Sequence, residues 1–349
     1  MNLPAHHKPG QDADGFVLPY VLVVIFILAL TSAIAIRSLN TSGQIIIDLN
    51  ADMLAEQRLA TAEADTLYVF LTSAGVKGGI DTSNTVWTAE EELDGFDASR
   101  LSDGALWSAA GGGRVSKYAS GEVSVIYRDT SGLIPINQDA PEMMAMLFKG
   151  LGLGLNDRKA AAAKLADYID QDNRRRFRGA ERADYRLKRR PRPSNAPLRA
   201  YEELYQIIAW DDLLTPQMNK RLRDFTTLTT SSAYYRTKFL SSELANILGV
   251  DGEGKANTTL RRQNIDIADL ASLIDETPTL QGRFIFSTPK ISGKIIVRVV
   301  ELEKSPNAPS GPFRRYFIFE ETRDVGDNND NIEGKTFLPV FTALDRRVQ

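Results

Sequence analysis

The chain has 349 residues, enough for one large or two ordinary domains beside a membrane anchor. Its hydrophobic share (43%), charged share (25%) and net charge of −3 are those of a globular protein and argue for neither a nucleic-acid nor an acidic-surface partner. There is no Cys, the only two His are His6 and His7, and no G-x-S-x-G, Walker or Rossmann pattern occurs. This excludes thiol chemistry, and beyond the first residues it excludes His-based acid–base catalysis and ordinary zinc ligation; the expectation is a protein that is not an enzyme.

From Phe16 to Ile36 run 21 residues without Asp, Glu, Lys or Arg. At about 1.5 Å per residue a helix of that length spans the roughly 30 Å of a bilayer's hydrocarbon core. A secretory signal peptide has a shorter apolar region closed by small residues. Here Arg37-Ser38-Leu39-Asn40 follows instead, so the segment is expected to stay on the protein and any cut to lie before it, between Gly15 and Phe16. The leader 1–15 holds Lys8, but also Asp12 and Asp14 close to that cut. Past Arg37 the residues Ile46, Leu49, Met53, Ala60, Ala64, Leu67 and Leu71 recur by three, four and seven, one face of a continuing helix, which Gly75 and Gly78-Gly79 would end. Residues 16–75 therefore read as a spine, transmembrane over 16–36 and packed on a soluble domain beyond.

Residues 76–113 read as loop-rich, closing on Gly111-Gly112-Gly113. Glu122–Arg128 alternates as a strand with Val123, Val125 and Tyr127 on one face, and Leu133–Asn137 reads as an edge segment because of Pro135. Six short helices are then expected: from Asp139-Ala140-Pro141, from Asn156, over about Arg199–Trp210, from Thr215-Pro216, from Ser241 to Gly249, and over Asp266–Ile274. Arg283–Ser287, Ile295–Leu302 and Arg315–Glu321 are strands by their Ile, Val, Phe and Tyr content. The class is α+β. The order of elements fits two domains in series, or one domain with the helical block inserted between its strands.

Gly15-Phe16-Val17-Leu18-Pro19-Tyr20 before an unbroken apolar helix resembles the class III leader of type IV pilins and type II secretion pseudopilins. Most pilins carry Glu at the fifth residue after the cut; Tyr20 stands there instead, which among pseudopilins is the mark of the minor subunit called type II secretion protein K. The central residues are similar to that family too: Asp167-Tyr168-Ile169-Asp170-Gln171-Asp172-Asn173, then Gly179-Ala180-Glu181 with Asp184-Tyr185, then Glu202-Glu203-Leu204, with Tyr168 in place of a Trp. The resemblance covers nearly the whole chain. It implies cleavage after Gly15 by a prepilin peptidase, N-methylation of Phe16, and an assembly helix running from Phe16, Leu18, Pro19 and Tyr20 to Ile36. It implies a pseudopilin α/β domain with an antiparallel sheet (76–137 and 278–349) holding an all-α insert (138–277) that resembles sterile-alpha-motif or helix-hairpin-helix units. It further implies a single pass through the inner membrane, a periplasmic soluble part, and partners among the minor pseudopilins of I, J and H type and the major pseudopilin. The function implied is the tip subunit that nucleates the pseudopilus and limits its length.

Between Arg174 and Arg192 lie ten Lys/Arg and two acids, a formal +8 that leaves −11 on the rest of the chain. Beside helical hairpins this run admits an alternative, a membrane-anchored periplasmic DNA receptor. It is broken by Pro191, however, and poor in aromatics for base stacking, so a solvated loop is the plainer reading and nucleic acid is not expected. Asp170, Asp172, Asn173, Glu181 and Asp184 place hard oxygens within one loop, a donor set suited to Ca²⁺; the resemblance implies calcium there as well. A second acidic stretch, Asp324, Asp327, Asp330 and Glu333, lacks EF-hand spacing and reads as a solvated turn.

Overall fold

The structure, a computed structural model, describes residues 17–83, 101–102, 104–138, 140–229, 236–248, 277–290, 293–305 and 311–324. Gly15, Phe16, Asp139, Gly249, the helix expected over Asp266–Ile274 and the acidic stretch from Asp327 onward lie outside the described residues. The chain divides into two units, Met1–Leu54 and Ala55–Gln349.

The described part of the first unit belongs to helix α1 (Val17–Thr72). Over its apolar window no residue is buried, and it is the one helix among the described residues long and apolar enough to cross a membrane.

The second unit is built on a five-stranded antiparallel sheet. Its strands are β4 (Ala110–Tyr118), β5 (Gly121–Asp129), β8 (Gln281–Pro289), β9 (Lys294–Lys304) and β10 (Phe313–Asp324), in the spatial order β10-β9-β8-β5-β4. The two halves of the sheet join where β5 pairs with β8, Tyr127 opposite Phe284 and Arg128 opposite Arg283. The described residues between 130 and 280 thus lie between two neighbouring strands of the sheet. The remaining short strands are β1 (Gly75–Val76), β2 (Gly79–Asp81) and β3 (Leu106–Ser108), which form a small sheet, and β6 (Ile134–Pro135) with β7 (Thr226–Thr227), which pair in parallel.

Period-two alternation gives the main sheet two apolar faces. One face sends Val123, Val125, Tyr127, Phe284, Phe286, Ile296, Val300 and Leu302 against Ala55, Leu59, Ala62 and Phe70 of α1. Tyr127 and Phe284 stack across the strands at 5.1 Å between ring centroids, with Trp107 and Phe70 set edge-on to Phe284. The other face sends Ile285, Ile295, Val297, Val299, Ile318 and Phe319 into the core of the helical block.

That block contains α2 (Pro141–Gly150), α3 (Leu155–Ile169), α4 (Arg182–Leu187), α5 (Trp210–Leu213), α6 (Pro216–Phe225) and α7 (Ser242–Leu248). Pro141 sits in the first turn of α2, and the Thr215 hydroxyl accepts the Met218 N–H at the start of α6. Helix α3 begins at Leu155 after Gly154, so Asn156 is inside the helix and not its cap.

Three expectations are corrected. The buried face of α1 beyond Leu54 is Ala55, Leu59, Ala62, Thr66 and Phe70, whereas Ala60 and Ala64 are exposed; so is Met53, at 71%. Alanines at 55 and 62 let the helix approach strands that already carry large rings, with Leu59 and Phe70 filling the space between. Gly111–Gly113 are not loop but part of β4, which carries a register irregularity between Ala110 and Gly112. The helix expected over Arg199–Trp210 is a 3₁₀ segment at Tyr201–Gln206 followed by α5, because Ala209 adopts φ 57° and breaks the run.

The joint between block and sheet is polar. Arg283 on β8 and Glu301 on β9 are cross-strand partners, both essentially buried, with Arg283 Nε donating to Glu301 Oε1 at 2.9 Å and Nη2 to the same oxygen at 2.5 Å. The same guanidinium donates to the carbonyls of Arg223 (2.8 Å) and Thr226 (2.5 Å), and Thr227 Oγ1 donates to Glu301 Oε2 at 2.9 Å. Tyr201 completes the joint by donating to the Thr226 carbonyl at 2.7 Å. Removing one member strands the other charge in a low dielectric. Arg283→Met or Glu301→Leu alone should therefore cost about 3–5 kcal/mol by chemical denaturation, and the double variant should recover a large part of that loss. Additive single losses would show that the two charges do not act as a pair.

On the other face Arg58 of α1 is buried and donates to Thr288 Oγ1 (3.0 Å) and to the carbonyls of Ser120 (2.6 Å) and Pro289 (2.8 Å). Gly121, at φ +133° in the β4–β5 turn, leaves the space this side chain crosses. Arg58→Met should lower stability by about 1–3 kcal/mol, since the acceptors it serves lose their donor; an unchanged denaturation midpoint would refute that role.

Candidate functional site

The end of α3 and the start of α4 face each other across the loop 170–181. Asp167 lies in the last turn of α3, Asp170 is its C-cap residue, and Glu181 is the N-cap residue of α4. One oxygen from each of the three carboxylates falls within 4.8 Å of the other two. Asp167 is fully buried and Glu181 is 4% exposed. The approach depends on Gly179, where a Cβ would overlap the Asp167 carboxylate.

Arg176 enters this cluster from the loop. Its Nη1 donates to Asp167 Oδ1 at 2.9 Å and pairs with Asp170, and its backbone N–H reaches Asp167 Oδ2 at 3.2 Å. One cation thus serves two of the three carboxylates. Asp170 Oδ1 is buried with no hydrogen-bond partner, and the buried Glu181 carboxylate has only backbone N–H groups of the first turn of α4 beside it. Burial, then the charge of Asp167, pushes the Glu181 carboxyl up to about 7. Burial also raises the Asp167 carboxyl, against the opposing pull of Arg176.

Of the five residues expected as ligands, Asp170 and Glu181 come together here. The other three are placed differently. Asp172 is exposed and accepts the Arg174 N–H at 2.6 Å, an Asx-type turn. Asn173 is exposed. Asp184 accepts the Glu181 N–H at 2.9 Å, which caps α4, and pairs with Arg175 at 3.2 Å. Asp167 completes the cluster and was not among the expected ligands. Its spacing from Asp170, three residues along a helix end, is the signal that could have found it.

The expected assembly helix is α1. Leu18, Tyr20 and Ile36 are 70%, 71% and 59% exposed, and Pro19 is exposed beside them. Tyr20 has no polar partner among the described residues, and the whole window from Leu18 presents apolar surface on every face. Phe16, the expected cut and methylation site, lies outside the described residues.

Among curated proteins none matches the chain. Among solved structures it is similar to one from the GspK–GspI–GspJ complex of the enterotoxigenic Escherichia coli type 2 secretion system. The two share 14% identity over 83% of this chain and 99% of that one, at a TM-score of 0.45. A family model, that of protein K of the type II secretion system, matches residues 123–231. That span takes in β5, the acidic cluster with Asp167, Asp170, Gly179 and Glu181, and the strand β7 that meets Glu301. Through this region the chain is similar to protein K of the type II secretion system.

Proposed function

We propose that the chain is the tip subunit of a type II secretion pseudopilus: a minor pseudopilin held in the inner membrane by Phe16–Ile36, with its soluble part in the periplasm. It assembles with minor pseudopilins of I, J and H type over the major pseudopilin, nucleates the fibre and limits its length. Its role is structural and carries no catalytic step. The observation that carries the tip position is the insertion between β5 and β8. The described residues between 130 and 280 lie between these neighbouring strands, and their helices fill the sheet face opposite α1. In a fibre of helices laid side by side, such bulk is tolerated where no subunit sits above it.

Tyr20 supports the same reading. A carboxyl within the bilayer costs about 2.5–3.5 kcal/mol on insertion scales and is kept only where it answers a charge. With Tyr20 at that place, the subunit offers nothing to the terminal amine of a neighbour above it. Maturation by prepilin peptidase should give an N-terminus of methyl-Phe16 in the membrane-extracted protein by mass spectrometry; an intact Met1 would count heavily against the assignment. Gold-labelled protein should mark one end of each pseudopilus only, and subunits layered on both sides of it would end the tip reading.

We also propose Ca²⁺ at the acidic cluster. The fit rests on a donor set of hard oxygens alone and on the unpartnered Oδ1 of Asp170. Asp167, Asp170 and Glu181 would hold the ion. Asp172, Asn173 and Asp184 are engaged or placed elsewhere. The pH dependence follows from the raised Glu181 carboxyl. Without metal, its contribution is complete below about 4.5, where both folded and unfolded states are protonated, and it is lost as pH rises through about 7. Metal-free protein should therefore lose on the order of 2 kcal/mol between those values through this group, and Glu181→Gln should recover it at high pH. Millimolar Ca²⁺ should raise the melting temperature of the wild type at neutral pH, and that of Glu181→Gln or Asp170→Asn much less. No shift in the wild type removes the metal.

A further inference from the structure

The run Arg174–Arg192 is used only in part by the acidic cluster. Arg176 turns inward; the other nine Lys/Arg of the run are exposed. Arg175 and Arg178 have side-chain partners in Asp184 and Asn156, and Arg190 reaches the carbonyls of Tyr205 and Ile207. Arg174, Arg182, Arg186, Lys188, Arg189 and Arg192 project their charges with no partner among the described residues. Two large apolar side chains stand out among them, Phe177 at 84% and Leu187 at 80% exposed. Arg182 and Arg186 are one turn apart on α4, next to Leu187 at its end. A merely solvated basic loop gains nothing from holding Phe177 and Leu187 in water, since each leaves apolar area unburied.

We propose that this segment is a docking surface for an anionic lipid membrane. The inference does not depend on the tip position or on calcium. Unpaired cations bind a negative lipid surface with an affinity that rises with each Lys or Arg. Single apolar side chains between them enter the headgroup boundary, where a lipid surface, unlike a protein groove, needs no shaped pocket. Charge favours one orientation: the segment carries +8 and the rest of the chain a net −11, so an anionic surface is attracted most strongly here. Nucleic acid fits less well. Phe177 is a lone aromatic with its own neighbour Arg178 over the ring at 5.3 Å, and a single-strand platform needs a series of open rings.

The test uses the full chain with its apolar helix already seated in a phosphatidylcholine nanodisc, so that α1 contributes nothing to capture by a second membrane. Flotation with added vesicles should show at least about tenfold tighter partition onto phosphatidylcholine containing phosphatidylglycerol than onto phosphatidylcholine alone, weakening as salt rises. Replacing Arg182, Arg186, Lys188 and Arg189 together by Gln should abolish the difference. Phe177→Ser with Leu187→Ser should weaken partition severalfold, with the melting temperature unchanged in both variants. Inorganic phosphate should not compete at the concentration of lipid phosphate. The proposal is overturned by equal partition onto both vesicles, by full retention in the Phe177 and Leu187 variant, by displacement with inorganic phosphate, or by a DNA duplex binding more tightly than the anionic vesicles.

Discussion

The buried pair Arg283–Glu301 is the point on which the architecture turns. Both charges lie on the sheet, on adjacent strands, in register. Their remaining hydrogen-bonding capacity is met by the inserted block: the carbonyls of Arg223 and Thr226, and the hydroxyl of Thr227, at the end of α6 and in β7. An ion pair of this kind adds little net stability against an apolar isostere, because desolvation offsets most of the attraction. Its effect is directional. A fully apolar joint between block and sheet could slide, whereas a guanidinium whose donors are assigned to Glu301, Arg223 and Thr226 accepts one placement of α6 against β8 and β9. The insertion is therefore anchored at a defined register, although it leaves the sheet at 129 and returns only at 281.

The rest of the core follows from a sheet that is apolar on both faces. Neighbouring residues of β8 serve opposite layers, Phe284 and Phe286 toward α1 and Ile285 toward the block; on β9, Val300 and Leu302 oppose Val297 and Val299 in the same way. The two polar pins sit on the two faces. Arg58 ties α1 to the β4–β5 turn and to the end of β8, and Arg283 ties the block to the middle of the sheet. Each is an arginine serving backbone carbonyls, which its fan of donors suits and a lysine's point charge does not.

The strands were legible because β-branched and aromatic residues at period two leave few alternatives: β5, β8, β9 and β10 lie where Val123–Tyr127, Arg283–Ser287, Ile295–Leu302 and Arg315–Glu321 placed them. The buried face of α1 was not, since hydrophobicity ranks Met53 above Ala55 and Ala62, while packing against Tyr127 and Phe284 selects the alanines. The break at Ala209 carries no Gly or Pro to announce it; tertiary packing of Trp210, Ile207 and Leu204 overrides a helical pattern. In the acidic loop, sequence proximity gave Asp170 and Glu181. It could not tell a carboxylate aimed at its neighbours from one spent on its own backbone, as Asp172 and Asp184 are.

That distinction also accounts for how one short segment can be strongly basic and still carry a site of the opposite sign. Gly179 brings the backbone close enough to Asp167 for Arg176 to fold inward, and the capping of α4 by Asp184 fixes Glu181 at the cluster's edge. With one arginine committed to Asp167 and Asp170, and Glu181 beside them without a cation, the interior keeps an excess of negative charge and the unpartnered Oδ1 of Asp170. The other basic side chains have no such acids left to meet, because within the run only Glu181 and Asp184 are acidic, one buried and the other already paired with Arg175. Interior negative and exterior positive charge are thus consequences of the same loop closure. A substitution that opened the loop at Gly179 would disturb both: it would admit water to the carboxylates and turn Arg176 out to join the exposed cations.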